Sequence, residues 1–260
     1  MIFGLCTNGD IAGAAKAAGF TFIDSTVGEA IRPDATEDEF YDHYEENFAG
    51  AKLPLTNLAV LLPGTIKLCG PDATRLSQSV AYIEKVFRRA KYLEIRHIAF
   101  GSGGARKCPE GWDKTKAVAQ ITEFVKAIAP VVKESGVMLG VENLRFAETN
   151  TLNLLGEVAQ VVAESGAGDE IGFLVDGFHW KENKDDASAL PVLAGRIKHT
   201  HIATSPSRRA PGEEATDFAP FAALLKAAGY DDMMAVEATF NDKTPAGLAR
   251  MFKTLDSAFN

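Results

Sequence analysis

The chain has 260 residues, of which 46% are hydrophobic and 24% are charged, with a formal net charge of −8. This length suffices for a sizeable core, and the acidic balance disfavours sequence-independent binding to nucleic-acid phosphates. No apolar run is long enough to span a bilayer, and the amino-terminal stretch lacks the basic region of a signal peptide. Three widely spaced cysteines without a CxxC pair favour reduced thiols, so we expect a cytoplasmic protein without a membrane or nucleic-acid partner.

A short phrase recurs along the chain, in which a helical segment ends at a glycine and a β-rich run follows. It occurs first at 14–24, again at 132–142 and a third time at 224–237. Glycine suits the left-handed residue that closes a helix, and the runs that follow are short and apolar. Such runs are typical of strands that are buried on both faces.

Strands and helices are therefore predicted to alternate through the whole chain. The clearest helices are 76–93 and 115–135, the second of which Pro130 should end or kink. The predicted strands, in chain order, are 2–7, 20–26, 54–61, 97–101, 137–143, 171–177, 197–203 and 233–239.

Eight strands that alternate with helices predict an α/β fold, a (β/α)8 TIM barrel that forms a single domain over residues 1–260. The structural alternative is a doubly wound open sheet, but no GxGxxG motif follows the first strand to support it. The glycine-rich "GSGGAR" (101–106) follows the fourth strand and is predicted to open a loop, not a helix. That loop is either flexible or a ligand contact.

Four predicted strands end in a residue that can bind a metal. They are Glu142, Asp176, His201 and Glu237, separated by 34, 25 and 36 residues, where one barrel repeat is roughly 30 residues. In a barrel the carboxyl ends of the strands meet at the active-site face, so these side chains should converge. Three carboxylates and an imidazole would be costly there without a cation, and an oxygen-rich set suits Mn, Mg or Co. The alternative is that each is a helix cap or a solvated loop residue.

The remaining histidines have simpler interpretations. His199 lies two positions before His201, so it should point to the same side but lie deeper. It is either packed in the barrel or in contact with the ligand network. His43 is interpreted as a surface helix residue and His97 as the start of a strand.

Four motifs resemble one known family. They are "VENLRFAET" (141–149), "DGFH" (176–179), "HTHIATSPSRRAPG" (199–212) and "VEAT" (236–239). Together they look like the xylose-isomerase-like barrel superfamily, and within it the sugar isomerase/epimerase branch that contains D-tagatose 3-epimerase and D-psicose 3-epimerase, with hydroxypyruvate isomerase nearby.

The resemblance implies roles for particular residues. It implies that Glu142, Asp176, His201 and Glu237 hold one divalent ion, with Mn favoured, Mg or Co acceptable and Zn less favoured. It further implies that sugar contacts come from Glu148, His179 and Arg208. Arg209 is the fallback for Arg208, because the loop is one residue longer than the epimerase pattern. Several relatives have Glu where this chain has Asp24, which leaves the contacts on that side of the sugar open.

The implied reaction is proton transfer at a carbon next to a carbonyl, through a metal-stabilised enediolate, with Glu142 and Glu237 as the catalytic acid and base. The substrate would be a small sugar or sugar derivative, and a homo-oligomer is a possible assembly. Epimerisation and aldose–ketose isomerisation are not separated by the motifs. Two other functions stay open, an apurinic-site endonuclease-like metal hydrolase on the same barrel and a non-catalytic sugar-binding barrel.

Overall fold

A computed structural model describes residues 1–7, 9–186 and 188–260 of the chain. Within these residues, eight parallel strands form a closed barrel in sequence order. The strands are β1 Ile2–Cys6, β2 Phe22–Thr26, β3 Leu55–Ala59, β4 His97–Phe100, β5 Met138–Glu142, β6 Ile171–Asp176, β7 Ile197–Ile202 and β8 Met233–Val236. Each lies within a range that was predicted from the sequence, so all eight strand predictions are confirmed.

The barrel closes because β1 pairs in parallel with β8 as well as with β2. Leu5 lies opposite Val236 on one side and opposite Ile23 on the other. In a doubly wound open sheet, the two edge strands would each have a neighbour on one side only. Here every strand has two neighbours, so that alternative is wrong. The fold is a single-domain TIM barrel, as predicted.

Helices surround the barrel. The described ranges contain ten α-helices and two π-helical turns, Val27–Ile31 and Glu45–Ala49. The α-helices are α1 Ala12–Ala18, α2 Glu37–Tyr44, α3 Leu76–Tyr92, α4 Gly103–Arg106, α5 Lys114–Ser135, α6 Leu155–Glu164, α7 Gly177–Glu182, α8 Leu190–Leu193, α9 Ala219–Ala227 and α10 Pro245–Phe259.

The two helices that were predicted with most detail are α3 and α5, and both are confirmed. However, Pro130 does not end α5, which continues to Ser135. Proline at this position leaves the carbonyl of Lys126 without its usual helical donor. Because Pro130 and Lys126 both lie on the exposed face of the helix, water can bind that carbonyl and the helix continues.

The glycines that were predicted to close helices have the required backbone. Gly19 follows α1 with φ 114°, Gly136 follows α5 with φ 77°, and Gly229 lies just beyond α9 with φ 69°. These left-handed values carry a steric cost for residues with a Cβ. Each glycine therefore turns the chain from a helix toward the next strand.

The prediction that "GSGGAR" opens only a loop is wrong, because Gly103–Arg106 forms one turn of helix. Two interactions hold this turn. The backbone N–H groups of residues 105 and 106 donate to the carbonyl of Ser102. The fully buried guanidinium of Arg106 donates to the carbonyls of Phe100 (3.0 Å) and Glu142 (2.7 Å).

The side chains of the strands lie in two environments, one between the barrel and the helices and one inside the barrel. Outward-facing apolar residues such as Ile98, Val141 and Val175 are fully buried against the helices. Inward-facing positions are partly filled by small groups, including Ala59 and Ala99, which pack together inside the barrel. In the described part of the chain, no helix has both the length and the apolar character needed to cross a membrane.

Candidate metal centre

Four side chains from the carboxyl ends of consecutive strands converge at one end of the barrel. Ligand-capable atoms of Glu142, Asp176, His201 and Glu237 all lie within 4.8 Å of one another. Glu142 and Asp176 are the last residues of β5 and β6, His201 lies in β7, and Glu237 directly follows β8. The structure thus brings together the four residues that the strand-end pattern selected.

The register of the strands explains this convergence. Asp176 lies directly opposite His201, so their side chains point to the same side at the same height. His201 lies opposite Ala235, two residues before Glu237. Side chains two positions apart on a strand point to the same face, so Glu237 points into the barrel like Ala235. The N–H of Glu237 still donates to the carbonyl of Ile202 (3.1 Å), which keeps it beside β7.

The imidazole of His201 is oriented toward the carboxylates. Its Nδ1 lies 3.2 Å from Oε2 of Glu237 and 3.9 Å from Oε1 of Glu142. Its Nε2 lies 3.4 Å from Oδ2 of Asp24. Nδ1 is buried and has no hydrogen-bond partner with acceptable geometry among the described residues. A buried unpaired nitrogen facing carboxylates is what a ligand to a shared cation requires.

The charges of the cluster are not balanced by the protein alone. Burial and the neighbouring Glu237 raise the pKa of Glu142 to about 8. Burial opposes the ionisation of Glu237, but His201 and Arg208 outweigh it and lower its pKa to about 2. Burial also opposes the protonation of His201, yet Glu237 and Asp24 raise its pKa well above the usual value. Near neutral pH, Glu142 therefore retains a proton unless further positive charge is supplied.

These residues fit a divalent cation. The cluster offers carboxylate oxygens and one imidazole nitrogen. Hard divalent ions such as Mn²⁺ and Mg²⁺ prefer such an oxygen-rich set, and their charge would offset the repulsion between the buried carboxylates. The unpaired Nδ1 of His201 and the raised pKa of Glu142 would both be accounted for by an ion between them.

Two further residues named from the sequence lie beside the cluster. His179 is fully buried, and its Nε2 lies 3.6 Å from Asp176, 4.0 Å from Glu142 and 3.9 Å from Glu148. Neither ring nitrogen of His179 has a hydrogen-bond partner among the described residues. The Nε2 of His179 therefore faces the cluster and is free to contact a further ligand at this mouth.

The two adjacent arginines of the loop after β7 point to different partners. Arg208 donates to Oε2 of Glu237 (2.7 Å) and to Oε1 of Glu148 (3.4 Å). Arg209 instead donates to Asn241 at the exposed surface (2.9 Å). The geometry therefore places Arg208 at the cluster and Arg209 outside it, and the role of Arg208 toward a substrate stays a prediction.

The wall behind Glu142 was not recognised from the sequence. A Cβ on Gly101 would collide with Oε2 of Glu142, so a larger residue there would have to displace that carboxylate. Arg106 holds the backbone carbonyl of Glu142 from the same side. A glycine within a strand pattern often marks a close approach by another group, and that signal was available at Gly101.

The other histidines lie outside the group of four. His199 lies deeper than His201, as predicted, and its Nε2 is 2.7 Å from Asp24. His97 begins β4, as predicted, and its Nδ1 is 2.8 Å from Asn57. His43 lies on α2 and is half-buried. Of the alternatives for His199, the structure shows packing in the barrel through Asp24, without direct membership of the cluster.

Comparison with known families agrees with this geometry. The profile of the xylose isomerase-like TIM barrel family matches residues 12–256. The chain therefore belongs to this family, and the resemblance that its motifs indicated is confirmed.

Two curated relatives are named as an epimerase and an isomerase. An L-ribulose 3-epimerase from Mesorhizobium japonicum is 26% identical over 201 residues, which cover 74% of this chain and 65% of that enzyme. The match thus spans just under two thirds of the length of that relative. A putative hydroxypyruvate isomerase from Streptomyces coelicolor is 26% identical over 242 residues, 86% of this chain and 82% of that protein.

A solved structure shows the same fold. The crystal structure of a D-psicose 3-epimerase in the presence of D-fructose superposes with a TM-score of 0.75 at 19% identity, covering 99% of this chain and 96% of the other. At this identity the likeness concerns the fold, and it extends over the whole barrel.

Proposed function

We propose that this chain is a divalent-metal-dependent sugar isomerase or epimerase that moves a proton at a carbon next to a carbonyl, in the manner of a ketose 3-epimerase. The observation that carries the proposal is the four-residue cluster at the barrel mouth, in which the pKa of Glu142 is raised to about 8. Such a set of buried carboxyls is costly without a cation. The names of the two curated relatives support sugar chemistry at this site.

The ion would be held by the two glutamates of the cluster, by Asp176 and by Nδ1 of His201. We expect Mn²⁺, with Mg²⁺ or Co²⁺ as substitutes and Zn²⁺ less favoured, because three of the four ligands are carboxylates. When bound, the ion would supply Lewis-acid stabilisation of negative charge on the substrate carbonyl and a neighbouring hydroxyl oxygen.

Glu142 and Glu237 are the proposed acid and base. They come from β5 and β8, which are separated in the closed barrel by β6 and β7. A sugar between them would have one carboxyl near each face. For epimerisation, one glutamate removes a proton and the other returns one to the opposite face. For aldose–ketose isomerisation, a single carboxylate would carry the proton between adjacent carbons.

The contacts of the substrate would come from Glu148, His179 and Arg208. The unpaired nitrogens of His179 and the guanidinium of Arg208 can bind sugar hydroxyls, and Glu148 can accept from them. Their contribution is to hold the reacting carbon within reach of the two catalytic glutamates. The planar fork of Arg208 suits two neighbouring oxygens.

The alternative functions are less well supported. An endonuclease of the three-zinc type needs a histidine-rich centre, but only His201 among the described histidines joins the four-residue cluster. A non-catalytic sugar-binding barrel would have no need for two glutamates that share a buried site with a cation. We therefore retain the isomerase, and the experiment below separates all three.

The test is metal analysis of the purified chain, followed by a screen of ketoses and sugar acids with Mn²⁺ in deuterated water. We expect one divalent ion per chain and deuterium incorporation at the carbon that is epimerised, because a two-base reaction takes its new proton from solvent. Three zinc ions per chain would favour the nuclease. Bound sugar without label incorporation would favour the binding protein.

Location and assembly stay predictions. A cytoplasmic location and the lack of nucleic-acid or membrane partners rest on composition and charge. Cell fractionation tests the first, and binding to DNA or lipid vesicles tests the second. Light scattering of the purified chain would determine whether it forms a homo-oligomer.

A further inference from the structure

Below the metal centre, the interior of the barrel contains a buried polar network around Asp24 on β2. Asp24 is only 1% exposed. Its Oδ1 accepts a hydrogen bond from Asn57 (2.8 Å), and its Oδ2 lies 2.7 Å from Nε2 of His199 and 3.4 Å from Nε2 of His201. Asn57 is held in turn by His97, whose Nδ1 lies 2.8 Å from the Asn57 oxygen. Neighbours on β3 and β7 thus fix the orientation of the Asp24 carboxylate, and His97 on β4 supports Asn57.

A second metal site at this position is not supported. Atoms of Cys6, Asp24 and His201 also lie within 4.8 Å of one another. However, both oxygens of Asp24 already face N–H groups of the protein. The function of Asp24 must therefore be sought in its contact with His201.

A neutral imidazole carries its proton on one nitrogen and offers the other as a ligand. The Nε2 of His201 faces Asp24, which as a carboxylate can only accept. The opposite nitrogen, Nδ1, faces Glu237 and Glu142 and has no hydrogen-bond partner among the described residues. A carboxylate on the far side of a metal-binding histidine orients the ring and fixes its tautomer.

We propose that Asp24 holds the proton of His201 on Nε2 and thereby commits Nδ1 to the metal, which makes Asp24 a positioning residue of the metal centre. This inference rests on the proposed metal-dependent function. The proposal gives a role to Asp24, the residue that stands where several relatives have a glutamate. Asp24 acts on the ion through His201, without touching it.

The variant Asp24→Asn tests the proposal because it keeps the size of the side chain and removes its charge. We expect the dissociation constant for Mn²⁺, measured from the electron paramagnetic resonance signal of the free ion, to rise roughly 10- to 100-fold. Asp24→Ala, which cannot accept at all, should be at least as impaired.

Thr200→Val is the matched control. Thr200 lies on β7 next to His201, is fully buried, and donates a hydrogen bond to the carbonyl of Met233 (3.4 Å). Neighbouring residues on a strand face opposite sides, so Thr200 lies on the outer side of the barrel. Its variant also loses one buried hydrogen bond, but its affinity for Mn²⁺ should match that of the unaltered chain.

Nitrogen-15 spectra of the histidines in the Mg²⁺-loaded protein provide a second readout. In the unaltered chain, we expect His201 to show a proton on Nε2 that is protected from solvent exchange, and a metal-shifted Nδ1. In Asp24→Asn, the Nε2 proton should exchange faster and move to higher field. These spectra of the unaltered chain test the proposal even if both variants fail to fold.

Each remaining outcome is decisive. Asp24→Asn with unchanged Mn²⁺ affinity, an equal loss in Thr200→Val, or a proton on Nδ1 of metal-loaded His201 would overturn the role of Asp24 while the proposed function stands. An unaltered chain that binds no divalent ion would overturn the proposed function and this inference together.

Discussion

From the candidate metal centre we predict how many protons are released when Mn²⁺ binds. Without a cation, burial and Glu237 raise the pKa of Glu142 to about 8. Against the effect of burial, Glu237 and Asp24 raise the pKa of His201 well above its usual value. Both groups must lose their protons to become ligands. Binding of Mn²⁺ near pH 7 should therefore release protons from both residues.

The size of the effect follows from these shifts. At pH 7, a carboxyl group with a pKa of about 8 is mostly protonated, so Glu142 should release most of one proton per ion bound. His201 should add about one more, which gives a total near two. Because the pKa values of both residues are raised in the ion-free protein, protons compete with Mn²⁺ at low pH. The affinity for Mn²⁺ should therefore rise with pH, by roughly one to two orders of magnitude per pH unit around neutrality. As the pH rises above the pKa of Glu142, the contribution of this residue should disappear.

Isothermal titration calorimetry in two buffers with different ionisation enthalpies measures the number of protons released per Mn²⁺ ion bound. The variant Glu142→Gln is the matched control, because it keeps the shape of the side chain but has no carboxyl proton to release. It should release about one proton fewer at pH 7. A release near zero in the unaltered chain, or the same release in both proteins, would refute the assignment of Glu142 as a buried, protonated carboxyl that ionises on metal binding.

Three other predictions address the neighbours of the ion. Glu237→Gln should lower kcat by at least ~10²-fold and weaken Mn²⁺ binding, because it removes a proton acceptor and a ligand; near-normal turnover would contradict this role. Arg208→Ala should raise KM or lower kcat while Mn²⁺ binding is retained, and Arg209→Ala, which loses only a surface contact with Asn241, should do little. If the two arginine variants behave alike in steady-state assays, the assignment within this loop is wrong. Gly101→Ala should weaken Mn²⁺ binding, since its Cβ would collide with Oε2 of Glu142; unchanged affinity by titration would show that the carboxylate can move aside.

The fold was predictable because its signals are local. A glycine such as Gly19 or Gly136 closes a helix within one turn, and a buried parallel strand is a short apolar run wherever it occurs. These signals repeat about once per strand–helix unit, and this repetition predicted eight alternating strands and helices. The same spacing selected Glu142 and Asp176, because the carboxyl end of a strand is recognisable without knowledge of its neighbours.

The features that were missed depend on contacts between distant residues. Gly101 is needed only because Glu142, from the next strand, approaches it. The helical turn at Gly103–Arg106 is held by a guanidinium that reaches the end of β5. The prediction that Pro130 would end α5 was wrong for a related reason, since its effect depends on whether the freed carbonyl faces water. A local signal such as the glycine at position 101 can mark a close approach, but the distant residue that makes the approach cannot be read from one segment of sequence alone.

Asp24 shows how a departure from a family pattern gains meaning from structure. From the sequence, this shorter acid only left the sugar contacts near β2 open. In the fold, its carboxylate is buried and engaged by Asn57 and His199, with His201 177 residues away along the chain as its third neighbour. A side chain held in this way has no free oxygen to offer a sugar. Under the proposed function, we therefore expect the contacts that distinguish one sugar from another to come from other residues of the mouth, such as Glu148 and Arg208.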